Sequence, residues 1–77
     1  MVMRAYIVVA TEPGSSRDVA RQIAGLPGVK TADACWGSRD VFAVVEVKGS
    51  EELNKIVMDQ MQRLVGVRET STHIALD

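Results

Sequence analysis

Two kinds of hydrophobic spacing alternate along the chain. Residues 3–11, MRAYIVVAT, form an apolar, β-branched run that predicts a strand. The run breaks at Glu12-Pro13-Gly14-Ser15-Ser16, where Pro presets φ, Gly permits positive φ, and Ser15 or Ser16 can cap a helix. From Arg17 to Ala24 the apolar residues Val19, Ala20, Ile23 and Ala24 recur at helical spacing, and Leu26 follows. Arg17, Asp18, Arg21 and Gln22 fall on the opposite side, and Pro27-Gly28 stops the helix. Residues 29–36, VKTADACW, predict a second strand, and Gly37-Ser38-Arg39-Asp40 a hairpin-like turn. Residues 41–48, VFAVVEVK, predict a third strand. Ser50 is the expected N-cap of a second helix, whose first turn carries Glu51 and Glu52 where the helix dipole favours them. Leu53, Ile56, Val57, Met61 and Leu64 space its apolar side, with Gln60 as a polar interruption, and Gly66 ends it. Residues 67–76, VRETSTHIAL, predict a fourth strand.

The order βαββαβ is also a repeat. Leu26-Pro27-Gly28-Val29 returns as Leu64-Val65-Gly66-Val67, 38 residues later. The same shift lays Ala5, Ile7 and Val9 on Ala43, Val45 and Val47, and Val19, Ile23 and Lys30 on Val57, Met61 and Arg68. Each half ends its helix on a Leu-x-Gly-Val device, in which Gly supplies the left-handed conformation and Val begins the next strand. Right-handed crossovers leave one empty strand position within each half. Interleaving the halves gives an α+β domain of ferredoxin-like topology, with a four-stranded antiparallel sheet and both helices on one face. Residues 1–77 read as one such domain.

That architecture leaves one sheet face without helices. On a half-solvated sheet, apolar and polar residues should alternate. In strand one, however, Ala5, Ile7 and Val9 lie on one side and Tyr6, Val8 and Ala10 on the other. In strand three Val41, Ala43, Val45 and Val47 oppose Phe42 and Val44. An apolar patch of that extent is larger than monomers usually expose. The expectation is a homo-oligomer that begins as a dimer packed through the sheet.

Composition narrows the chemistry. With one cysteine (Cys35) and one histidine (His73), neither an intramolecular disulfide nor a four-ligand Cys/His zinc site can form within one chain. A chain of 77 residues has a thin core, so self-association is the stabilising device left. The net charge of −1 argues against direct nucleic-acid binding, which needs a basic surface. No apolar run approaches the ~20 residues of a membrane helix. The apolar stretch Tyr6–Ala10 is too short for a signal peptide, so a cytoplasmic location is expected, without membrane contact.

No constellation points to catalysis, cofactor or metal. Cys35 reads as a small strand hydrophobe, His73 as a sheet histidine without a nucleophile partner, and Met3, Met58 and Met61 as core or interface filler. Trp36, beside a turn, reads as an anchor for an interface or a ligand. Glu46 faces a partner residue across the dimer or lies at the sheet rim, and the sequence does not decide which. Glu51, Glu52, Asp59 and Arg63 read as a solvated helix face. The fold hosts other functions, so two alternatives stay open: a small dimeric α/β-barrel enzyme, and an ACT-like regulatory module. The enzyme would need His or Asn convergent on a cavity, and only His73 is available. A metal chaperone would need paired cysteines near the first turn, and a phosphate-binding hydrolase a stronger loop than Gly14-Ser15-Ser16-Arg17.

One family matches residues along nearly the whole chain. Ala5-Tyr6-Ile7-Val8-Val9 with Thr11-x-Pro13-Gly14, then Leu26-Pro27-Gly28-Val29, Gly37-x-x-Asp40 and Glu52-Leu53 come in order. Leu64-x-Gly66-Val67 and Thr70-x-Thr72 complete the set. In these features the chain resembles the effector-binding RAM domain (regulation of amino-acid metabolism) of the Lrp/AsnC transcription regulators. The Leu-x-Gly-Val repeat and the Gly-x-x-Asp hairpin favour this likeness over the ACT module. Family members carry a helix-turn-helix domain ahead of this one. Here Met1 leads straight into strand one, so a stand-alone RAM protein is expected.

The resemblance implies dimers joined through their sheets, rings that are commonly octamers, and a small effector, usually an amino acid, held between dimers. Full-length Lrp/AsnC regulators become candidate partners by co-assembly. Carried over, the ligand-binding candidates are Gly37, Ser38, Arg39 and Asp40, with Thr70, Ser71 and Thr72, and Trp36 adjoins them. Asp40 would accept from an ammonium, and hairpin amides or hydroxyls would donate to a carboxylate. The family's hairpin is usually Gly-x-Tyr-Asp. Arg39 stands here in place of the tyrosine and Trp36 in place of a small residue, which shifts preference toward a ligand with an extra carboxylate. A plainer reading of the same residues also stands, with Gly37 only a turn residue and Asp40 only paired with Arg39 or a turn amide.

Overall fold

The computed structural model describes residues 2–36 and 40–76. Four strands, β1 (Met3–Thr11), β2 (Val29–Ala34), β3 (Asp40–Val47) and β4 (Val67–Ile74), form one antiparallel sheet in the order β2-β3-β1-β4. Helix α1 spans Ser16–Ala24, and α2 begins at Ser50–Asn54. Each βαβ half holds the other's strand between its own two, as the repeat requires. The tryptophan end of the second predicted strand lies outside the sheet. Pairing stops at Ala34↔Val41, and Cys35 and Trp36 already belong to the connection.

The core lies on one side of the sheet. Ala5, Ile7 and Val9 of β1 and Val41, Ala43, Val45 and Val47 of β3 are buried there. Val19 and Ile23 from α1 and Leu53, Ile56, Val57 and Met61 from the second helical segment close over them. Of the three methionines read as filler, Met61 is fully buried, whereas Met58 is half exposed on the outer side of its helix.

The second helical segment is not one regular helix. After α2 it widens into a π-helical stretch, Lys55–Gln60, and then tightens into a 3₁₀ turn, Met61–Arg63. The wider stretch carries Ile56 and Val57 into the core and is followed by Met61. It also turns the Gln60 side chain inward, where its Oε1 is buried with no hydrogen-bond partner.

The expected caps are replaced by other contacts. Ser15 is the N-cap of α1 but makes no side-chain cap hydrogen bond, while the Ser16 hydroxyl lies 2.9 Å from that of Thr11 on β1. Gly49, not Ser50, is the N-cap of α2. There the Glu52 carboxylate reaches back past the N-cap to accept the Lys48 backbone N–H at 2.8 Å.

The Leu-x-Gly-Val device also works differently from a helix cap. Helix α1 ends at Ala24, and its C-cap Gly25 keeps right-handed helical angles. The positive φ falls later, at Gly28 (87°) and Gly66 (99°). The Val29 N–H donates to the Leu26 carbonyl and the Val67 N–H to the Leu64 carbonyl, each at 3.2 Å. Both repeats are four-residue turns with glycine in third place, where a type II turn needs positive φ. They launch β2 and β4 rather than close the helices. A Cβ on Gly66 would stand 3.0 Å from Ser15 Cβ and 3.1 Å from Val19 Cγ2.

Candidate functional site

The sheet face without helices presents Arg4, Tyr6, Val8 and Ala10 from β1, facing Glu46, Val44, Phe42 and the backbone of Asp40 on β3. From β4 it adds Glu69, Ser71 and His73, and from β2 Thr31 and Asp33. Its centre is apolar. Val8 and Val44 are half-buried by their neighbours, while Tyr6 and Phe42 remain 43% and 47% exposed.

One end of this face is charged. Glu46 sits between Arg4 (Nε–Oε2 3.9 Å) and Lys30 (Nζ–Oε1 3.9 Å) of its own chain. Arg4 Nη1 also donates to the Tyr6 hydroxyl at 3.3 Å. That bond, with the charges of Tyr6 and Glu46, raises the guanidinium pKa above its ordinary value. Lys30 reaches Glu46 because pairing with β3 is irregular between Val29 and Thr31.

The other end holds the Asp40 backbone, the last position of the predicted ligand hairpin. Gly37, Ser38 and Arg39 lie outside the described residues, as does the side chain of Asp40. The Asp40 backbone pairs with Ala10, and Ala10 pairs in turn with Glu69. The Asp40 backbone and the start of β4 therefore lie at the same end of the sheet, with a single strand between them, about 10 Å apart. There β1 and β4 shift register between Ala10 and Thr11, and a depression of about 180 Å³ opens, lined by Val8, Ala10, Glu69, Thr70 and Ser71.

The three β4 candidates do not share a side. Ser71 pairs with Val8 and faces the open sheet, where its hydroxyl lies 2.9 Å from His73 Nε2. Thr70 and Thr72 pair with the core residues Val9 and Ile7, so their side chains point to the helix side. Thr70 Oγ1 accepts from Gln62 Nε2 at 2.8 Å there. Three consecutive strand residues cannot all turn their side chains to one pocket. Trp36 is fully exposed beyond the end of β2, and Cys35 is half-buried with Sγ 3.7 Å from the Asp33 carbonyl. Val8, Ala10 and Glu69 were not singled out from sequence as pocket residues. They become pocket neighbours only through the β1–β4 register, which no residue type in either strand announces.

Among the described residues no three His, Cys, Asp or Glu side chains cluster to hold a metal ion. No helix among them is long and apolar enough to cross a membrane.

Comparison with known proteins finds a match over the whole of this architecture. The family model described as the Lrp/AsnC ligand binding domain matches residues 4–77. An HTH-type transcriptional regulator of Pyrococcus abyssi is 33% identical over 70 residues, covering 91% of this chain and 44% of the regulator. The chain thus spans about half the length of the curated relatives it matches. A crystal structure of a Thermus thermophilus protein superposes with a TM-score of 0.90 at 28% identity, covering 97% of this chain and 94% of that one. A Neisseria meningitidis transcriptional regulator, solved as a complex with L-Met, shares the fold at 19% identity and a TM-score of 0.83, covering 97% of this chain and 50% of that one.

Proposed function

The chain belongs to the Lrp/AsnC ligand-binding domain family, and from that premise we propose that it is a self-associating, effector-binding module of transcription control, with an amino acid as its ligand. The observation that carries this reading is the open sheet face. Tyr6, Val8, Phe42 and Val44 form its apolar centre, and a second copy laid on it removes Tyr6 and Phe42 from water. The depression at the hairpin end then lies at the rim of the contact, so ligand and assembly are linked by mass action.

An amino-acid effector agrees with the L-Met held by the Neisseria regulator of the same fold. Glu69 or Asp40 would accept from the ligand's ammonium, and Ser71 and the amides of Gly37 and Ser38 would donate to its carboxylate. Trp36 would wall the side chain, and Arg39 would favour a second carboxylate. Thr70 and Thr72 would contribute only through their backbone. This is a binding module and not an enzyme, and it would reach DNA through co-assembly with full-length regulators such as its relatives.

Isothermal titration against the twenty amino acids tests the ligand claim. Heat from at least one of them is expected, and its loss in Asp40→Ala and Glu69→Gln locates the site. Absence of heat from all twenty removes the effector. Pull-down from cell extract tests the partner claim, with recovery of a helix-turn-helix regulator as the expected result.

A further inference from the structure

Strand β4 is an edge of the sheet, and among the described residues nothing pairs with the side turned away from β1. One bond shows which backbone groups face outward. The Ala75 N–H donates to the Arg4 carbonyl at 2.8 Å. Successive residues of an antiparallel strand turn N–H and C=O to opposite sides. Ser71 and His73 therefore direct these groups at β1, and Thr70, Thr72 and Ile74 direct theirs away from it. β4 runs for eight residues without proline, and its one irregularity lies at its start, opposite Ala10 and Thr11. Such an edge accepts a further strand unless something blocks it.

The charge pattern on β4 says which strand fits. Glu69 and His73 lie on the open face with Ser71 midway between them. Consider two copies of β4 related by a two-fold axis normal to the sheet at Ser71. Glu69 of each copy then stands opposite His73 of the other, and Thr70 opposite Thr72. Thr70 and Thr72 are the residues with outward N–H and C=O, so they exchange hydrogen bonds. Glu69 and His73 then form a non-hydrogen-bonded pair, where side chains come closest. Sliding the pairing by two residues either way sets Glu69 opposite Ser71 or Ala75 and loses both charge matches.

We propose that β4 is a self-pairing edge: two copies of this chain join β4 to β4 antiparallel about Ser71, making the Glu69–His73 pair twice. The contact uses the edge and not the open face, so it stands whether or not the face-to-face packing does. Two different two-fold contacts on one chain build assemblies larger than a dimer. Within its own chain His73 meets the Ser71 hydroxyl and lies opposite Tyr6 on β1, whose hydroxyl accepts from Arg4. The helices lie on the other face.

Sedimentation velocity on the full chain and its variants tests this, with circular dichroism to confirm folding. Thr72→Pro removes an outward N–H at an edge, where proline is tolerated, and is expected to abolish edge association. Glu69→His and His73→Glu each set like residues opposite one another and should weaken it about tenfold. The double variant Glu69→His/His73→Glu restores both pairs and should recover association to within about threefold of the original. Recovery in the folded double variant is the signature of this contact. Association that ignores Thr72→Pro but falls with Phe42→Asp lies wholly on the sheet face and overturns the proposal. A double variant no better than its parents overturns it as well.

Discussion

Gly14 and Gly66 both hold positive φ, at 83° and 99°, yet their surroundings separate them. A Cβ on Gly14 would meet nothing within 4 Å, whereas one on Gly66 would press on Ser15 and Val19 of the first helical turn. Gly14→Ala should therefore cost only the left-handed backbone strain, about 1–2 kcal/mol. Gly66→Ala should cost about 2–4 kcal/mol, because strain and overpacking add. Urea unfolding of the two variants at equal protein concentration reads the difference. Gly28 and Gly66 were legible in the repeat, but their task was not. A Leu-x-Gly-Val string fits a helix cap as well as a type II turn, and only the carbonyl that accepts the Val67 N–H tells them apart. Glu46 gives the same lesson, since its Lys30 contact depends on an irregularity beside Val29 that no residue type announces.

At the scale of elements, the second helical segment departs furthest from its sequence pattern. Leu53, Ile56, Val57 and Met61 were correctly read as facing the core, yet the backbone presents them through a π-helical stretch. Hydrophobic periodicity tolerates that change, because a wider turn and a regular one bury nearly the same residues. Gln60 marks the difference, with an amide oxygen buried and unpartnered. Gln60→Met keeps the volume and removes that oxygen, so it should stabilise the fold by about 1 kcal/mol, read as a rise in thermal midpoint. Met61 is fully buried in the same segment, and Met61→Ala should destabilise by about 2–5 kcal/mol in the same assay. The strand centres were legible because β1 and β3 have unbroken apolar runs. The end of β2 was not, because Cys35 and Trp36 are as strand-compatible as the residues before them.

For the whole molecule the decisive surface is the sheet face that the helices leave bare. Phe42→Asp puts a charge at its centre and should abolish face-to-face association while leaving the core side untouched. Before the change, the thermal midpoint should rise with protein concentration, and afterwards that rise should shrink to the part that Thr72→Pro removes. Two apolar sides on β1 and β3 were visible in the sequence, which is why this face could be anticipated. The candidate pocket was only partly visible. Strand alternation separates Ser71 from Thr70 and Thr72, and the depression takes Val8, Ala10 and Glu69 from the pairing of β1 with β4.

The hydrogen bond from Ala75 to Arg4 ties the last residues of the chain to the first strand. Both ends consequently leave from one corner of the sheet, about 20 Å along the strands from the Asp40 end. A fluorophore or affinity handle fused at either end hangs from that corner, away from the Asp40 backbone and the depression near it. A single peptide linker across the corner would close the chain into a circle, and fresh ends could then be cut elsewhere with the sheet order unchanged.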